Sequence, residues 1–179
     1  MNWEIPEGKE LDKAWEEIEV GSDRSAAIIG AAFVEDSLQC ALESRMRLDE
    51  QTFNALFNGP NSSLGSFSSK ISLGFALGLY GPLLKKDLNW IREIRNEFAH
   101  SMKSITFENQ RMKDLANNLK FLEWNHSNPR IPGHPPPSEF SFPDFPRKKY
   151  TNTVRVLVHS LFFFCLITNR NPPGPSTLP

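Results

Sequence analysis

The sequence predicts an all-α fold, a single-domain helical bundle of about six to seven helices with a Pro/Phe-rich loop before the last helix. Three observations carry this. Apolar residues recur at helical steps through most of the chain, as in Leu84, Leu88, Ile91, Ile94 and Phe98. Short Gly/Pro/Ser/Asp clusters punctuate these stretches where helices stop and restart. The length, 179 residues, suffices for one domain with its own core.

Residues 1–8 read as an irregular leader, and the helical domain is expected over 9–170. Lys9–Val20 is charged, with Leu11, Trp15 and Ile18 at helical steps, and reads as a surface helix. Gly21-Ser22-Asp23 supplies a stop and an N-cap, whose side-chain oxygen satisfies an orphaned amide. Arg24 to about Met46 is the central helix: Ala26–Val34 is apolar on every side, and Ala27, Gly30 and Ala31 permit close approach by neighbours. Leu48–Phe57 is a second short helix, followed by a Gly/Pro/Asn/Ser loop at 58–65 that lacks the spacing of a phosphate-binding loop.

Ser66–Leu79 reads as a further apolar helix, with Ser66 or Ser68 as cap and Lys70 in its first turns. Gly81 suits a left-handed stop and Pro82 the first turn of a helix from Pro82 to about Met102. Phe107–Trp124 is amphipathic, with Met112, Leu115, Leu119 and Leu122 as its stripe. The insertion at 125–147 is too rich in proline for a helix or central strand, and Phe140, Phe142 and Phe145 are expected to lie against the domain. Arg147–Asn169 closes the core; its β-branched residues would also suit a strand, but length and company favour helix. Residues 171–179 read as a disordered tail.

Composition narrows function. Twenty basic and 21 acidic residues give a net charge of -1, without the basic excess that phosphate contacts require. Cys40 and Cys165 lie in apolar surroundings, with no CxxC and no zinc spacing, and are expected to be two buried reduced thiols. The acidic N-terminus has no signal-peptide pattern, and the apolar run Val154–Thr168, which contains Arg155 and His159, falls short of a bilayer span. The expectations are a cytoplasmic location, no membrane and no cofactor or metal.

The polar residues of interest lie on two helices. Glu35 and Asp36 sit well inside the central helix, where a buried carboxylate requires a partner, and Arg95 is the candidate; the alternative is that both acids emerge into solvent. Arg24, at the start of the same helix, is a further polar partner. Arg95, Asn96 and His100 form the second group. An imidazole as acid or base, a guanidinium clamp and a positioning amide would suit phosphodiester cleavage. A five-residue step places Arg95 and His100 about 140° apart on a regular helix, so convergence requires fraying or a two-fold dimer. Otherwise Arg95 pairs with an interior carboxylate and His100 sits favourably at the helix C-terminus.

Four segments together resemble the mannitol operon repressor (MltR-like) family. They are Asp23–Leu38 (DRSAAIIGAAFVEDSL), Leu56–Pro60 (LFNGP), Leu64–Leu79 (LGSFSSKISLGFALGL) and Ile91–His100 (IREIRNEFAH). The resemblance covers about residues 20–124; the Pro/Phe segment and the tail depart from it. It implies an all-helical cytoplasmic regulator of transcription. Such a protein would work through a protein partner, as a homodimer, without reading DNA directly. The Arg95-Asn96-x3-His100 spacing is also similar to the signature of HEPN domains. That similarity implies a metal-independent ribonuclease, a toxin or defence component, with RNA as substrate.

Overall fold

The computed structural model describes residues 9–46, 48–59, 61–127 and 145–170. The expected leader (1–8), most of the Pro/Phe insertion (128–144) and the tail (171–179) lie outside the described residues. Within them the chain is all-helical: α1 Lys9–Val20, α2 Asp23–Glu43, α3 Glu50–Phe57, α4 Phe67–Ala76, α5 Pro82–His100, α6 Gln110–Asn117, α7 Phe121–Ser127 and α8 Pro146–Arg170.

Helix α2 is the axis, contacted by α1, α4, α5 and α8. The Ser22 hydroxyl accepts the Ser25 amide at 3.0 Å and fixes its start. Ala26, Ala27, Gly30, Ala31, Val34, Leu38, Ala41 and Leu42 are all buried along it. Against this small-residue face lies α8. The Tyr150 hydroxyl donates to the Ala27 carbonyl at 2.8 Å, and a Cβ on Gly30 would stand 3.3 Å from the Tyr150 ring. The Ala27–Tyr150 and Cys40–Cys165 contacts advance together along both helices, so α2 and α8 run parallel. Phe98, Phe107 and Tyr150 continue the core as a chain of rings with centroids 5.0 and 5.2 Å apart.

The apolar stripe of α5 is buried as its spacing predicts, at Leu84, Leu88, Ile91, Ile94 and Phe98. Each such side chain contributes about 1.5–3 kcal/mol on burial. Helices α2 and α8 are long and apolar enough to cross a membrane by length and composition alone, but 56% and 50% of their apolar windows are buried against the rest of the bundle. That is the composition of helices packed on several faces.

Phe145, expected to lie against the domain, is 70% exposed, and three further local expectations are corrected. The single helix expected over Phe107–Trp124 is divided into α6 and α7, although Met112, Leu115, Leu119 and Leu122 are all buried. The cause is Asp87, 1% exposed on α5, whose Oδ2 accepts the amides of Lys120 at 2.8 Å and Phe121 at 2.6 Å. A carboxylate from another helix thus caps α7 and lets the chain restart there. The left-handed residue between α4 and α5 is Gly78, with φ 68°, not Gly81, which is extended and precedes α5. Thirdly, Cys40 and Cys165 are not reduced thiols but are joined as a disulfide, with Cα atoms 6.0 Å apart.

Burial pushes the Asp87 carboxyl up, against the opposing pull of the Phe121 and Lys120 amides. Asp87→Ala removes the cap and leaves two amides without their acceptor. We predict a loss of about 2 kcal/mol in urea unfolding, and a smaller loss for Asp87→Asn, which keeps an acceptor oxygen.

Candidate functional site

The polar residues singled out in the sequence fall into two separate places. Glu35 lies between α2 and α4, and its partner is Lys70, not Arg95: the ammonium stands 2.8 Å from Glu35 Oε1, with side chains 8% and 19% exposed. Lys70 is placed there because the Ser66-capped start of α4 packs its first turns against α2. Asp36 shares the same field. Burial raises its carboxyl above the ordinary range, Lys70 pulls it down, and the neighbouring Glu35 charge pushes it up again. One ammonium thus serves two carboxylates in a half-buried cluster.

Arg95, Asn96 and His100 sit at the other place, the C-terminal half of α5. Arg95 is exposed, and its Nη1 donates to Asn96 Oδ1 at 3.0 Å. His100 is the last residue of α5 and is exposed at the helix C-terminus, where positive charge is electrostatically welcome. Asn96 and His100 line a shallow groove of about 390 Å³ together with Glu93, Glu97 and Ser101; Arg95 is not among its walls. Arg111 of α6 reaches the groove's carboxylates, pairing with Glu93 and lying 3.8 Å from Glu97 Oε1. The groove within one chain therefore presents an imidazole beside two acids engaged by an arginine. It is not a basic channel.

The end of α5 is held by the start of α2. Arg24 Nη2 donates to the carbonyl of Ser101 at 2.9 Å and of Lys103 at 3.3 Å. Asp23 Oδ2 accepts the Phe107 amide at 2.8 Å, and its Oδ1 receives Arg147 Nη1 at 3.0 Å. Arg147, in the first turn of α8, also donates to the carbonyls of Ile18 and Glu19 at 3.3 and 3.1 Å. Arg24 is thus a polar partner, but of backbone beyond α5 and not of an acid. Asp23, Lys70, Asp87 and Arg147 are the polar residues whose roles sequence reasoning missed. Only Asp87 carried a signal, an acid on the apolar stripe between Leu84 and Ile91. Among the described residues no cluster of three or more His, Cys, Asp or Glu could hold a metal ion.

No family model and no curated protein matches the chain. Among solved structures it is similar to one described as the X-ray structure of the MtlR-HPr complex from Escherichia coli. The two share 20% identity over 88% of this chain and 97% of that one, with a TM-score of 0.52. The architecture is therefore an MtlR-like helical bundle, and the resemblance seen in the sequence segments holds at the level of the fold.

Lys70→Ala strands Glu35 without its partner. We predict a loss of about 3 kcal/mol, the low end for a buried pair because Glu35 retains some water, and recovery of most of it in Lys70→Met/Glu35→Leu. The raised Asp36 carboxyl contributes stability that is fully present below the ordinary carboxylate range and is lost as pH rises through its folded value. Asp36→Asn should flatten that segment of the stability–pH curve, measured by thermal melts across the acid range.

Proposed function

We propose that this chain is an MltR-like regulatory protein that acts through protein–protein contacts, as a homodimer in the cytoplasm, and controls transcription without reading DNA itself. The observation that carries the reading is the likeness of fold over 97% of an E. coli chain whose structure was solved in complex with HPr. A small helical protein with that fold, a net charge of -1 and no helix-turn-helix signal is suited to a protein partner rather than to a phosphate backbone. HPr is the partner to test first.

The polar end of α5 fits a positioning role in this reading. Arg24 and Asp23 fix the backbone after α5, and His100, Asn96, Glu93 and Glu97 form a firmly held polar surface. Such rigidly presented polar groups give a partner interface orientation and specificity.

A second reading, a HEPN-type ribonuclease, is supported by one observation: Arg95 and His100 are exposed and Arg95 is not consumed by the buried acids. There His100 would act as acid or base, Arg95 as phosphate clamp and Asn96 as positioner, with the second copy of a dimer completing the site.

Titration calorimetry of the purified chain with E. coli HPr decides the first reading. The expected result is saturable binding near 1 µM, about -8 kcal/mol; no heat and no complex at a hundredfold higher concentration would sink HPr as the partner. Incubation of total RNA with wild type, Arg95→Ala and His100→Ala decides the second. Intact RNA with the wild type is expected from a regulator. Cleavage that both substitutions abolish, in proteins that still melt cooperatively, would reverse the preference.

A further inference from the structure

The chain contains two cysteines, and the fold brings both together although 125 residues separate them. They join the two longest helices near their C-terminal ends, position 40 of α2 and position 165 of α8. We infer that the Cys40–Cys165 bond is a reversible thiol–disulfide switch that docks the last turns of α8 onto α2.

The case rests on how the docking of α8 changes along its length. Its first half is fixed without help: Arg147 is clamped to α1 and Asp23, the Tyr150 hydroxyl is bonded to α2, and Tyr150, Val154 and Leu157 are fully buried. Beyond Val158 more of the helix's apolar surface is exposed. Leu161 and Cys165 remain buried, while Phe163, Leu166 and Ile167 are 37%, 48% and 47% exposed. Phe162 and Phe164 still pack against the core and Arg45 lies over the Phe164 ring, but the covalent bond sits in the half of α8 with more exposed apolar side chains. The ring chain from Tyr150 through Phe107 to Phe98 meets α8 in its first half, ahead of the bond. Breaking the bond should release the end of α8 without dissolving the bundle, because local opening follows local contact density.

The same exposure makes the bond reachable. Both cysteines are buried, at 7% and 4% residue exposure, so exchange requires α8 to open beyond Leu161, where its outward side chains are more exposed than in its first half. The co-reactant is a small-molecule thiol/disulfide couple such as glutathione. In the oxidising direction one protein thiolate attacks the small disulfide, forming a mixed disulfide and releasing one thiol. The second protein thiolate then displaces the other, so that two cysteine thiols and one disulfide give the Cys40–Cys165 bond and two small thiols. With no third cysteine in the chain, the mixed disulfide has a single intramolecular resolving partner. A bond of this kind in a reducing compartment is transient and responsive rather than permanent.

The test uses the full chain equilibrated in glutathione buffers of graded ratio, then acid-quenched and alkylated for mass analysis, with hydrogen exchange followed in parallel. We expect a reversible transition between no reactive thiols and two. Across it, amide exchange over residues 161–167 should rise roughly tenfold or more on reduction, with little change around Tyr150–Leu157. Cys40→Ala/Cys165→Ala should reproduce the reduced pattern in every buffer. Should that variant fail to fold, reduced wild type supplies the same comparison. Two thiols at every ratio would overturn the inference, as would a bond that yields only after denaturation. Exchange unchanged on reduction, or global unfolding on reduction, would overturn it equally.

Discussion

The close approach of α2 and α8 is the contact on which the other features depend. It joins residues more than a hundred positions apart, Ala27 to Tyr150 and Gly30 to Val154, and so closes the bundle only when the last helix returns. The approach is possible because the facing side of α2 is built from Ala27, Gly30 and Ala31. Tyr150 occupies the space those residues leave, with its hydroxyl satisfied by a backbone carbonyl; a buried hydroxyl without such an acceptor would carry a desolvation cost. Its burial pushes the phenol well above its ordinary range, so it stays protonated and able to donate at any physiological pH.

The position of α8 determines the polar architecture at the N-terminal end of α2. Arg147 reaches Asp23 and the end of α1 only because Tyr150, one turn later, seats α8 against α2. Asp23 in turn holds the Phe107 amide, and Arg24 holds the carbonyls after α5. His100 and Asn96 are therefore presented by a frame whose members come from α1, α2, α5 and α8. Charge pairs in such a frame contribute little stability if exposed, but they fix geometry.

Much of the fold was legible because helical periodicity and capping are local properties. The stripe of α5, the Ser22 stop-and-start and the small-residue face of α2 were all readable from neighbouring residues. What was not legible depended on which distant residue arrives. Glu35 needed a cation, and the sequence suggested Arg95; the packing of α4 on α2 brings Lys70 instead, while Arg95 is exposed. The division of α6 from α7 depends on Asp87, more than thirty residues away. The meeting of Cys40 and Cys165 depends on the parallel register of α2 and α8, which no local pattern encodes. At the candidate site, the sequence grouped Arg95 with Asn96 and His100. The structure keeps Arg95 beside Asn96 but leaves it out of the groove that Asn96 and His100 share with two acids.

The dependence on close helix approach is tested most directly at Gly30. A Cβ there meets the Tyr150 ring and hydroxyl at 3.3 Å and Val154 at 3.5 Å, so a branched side chain must force α8 away from α2. Gly30→Val should lower the urea unfolding free energy by about 2 kcal/mol or more, as overpacking does. The same substitution at the exposed Ala32, one turn face away, should cost only the propensity difference of about 0.6 kcal/mol. Equal stability of the two variants would contradict the claim that the small-residue face of α2 sets the bundle.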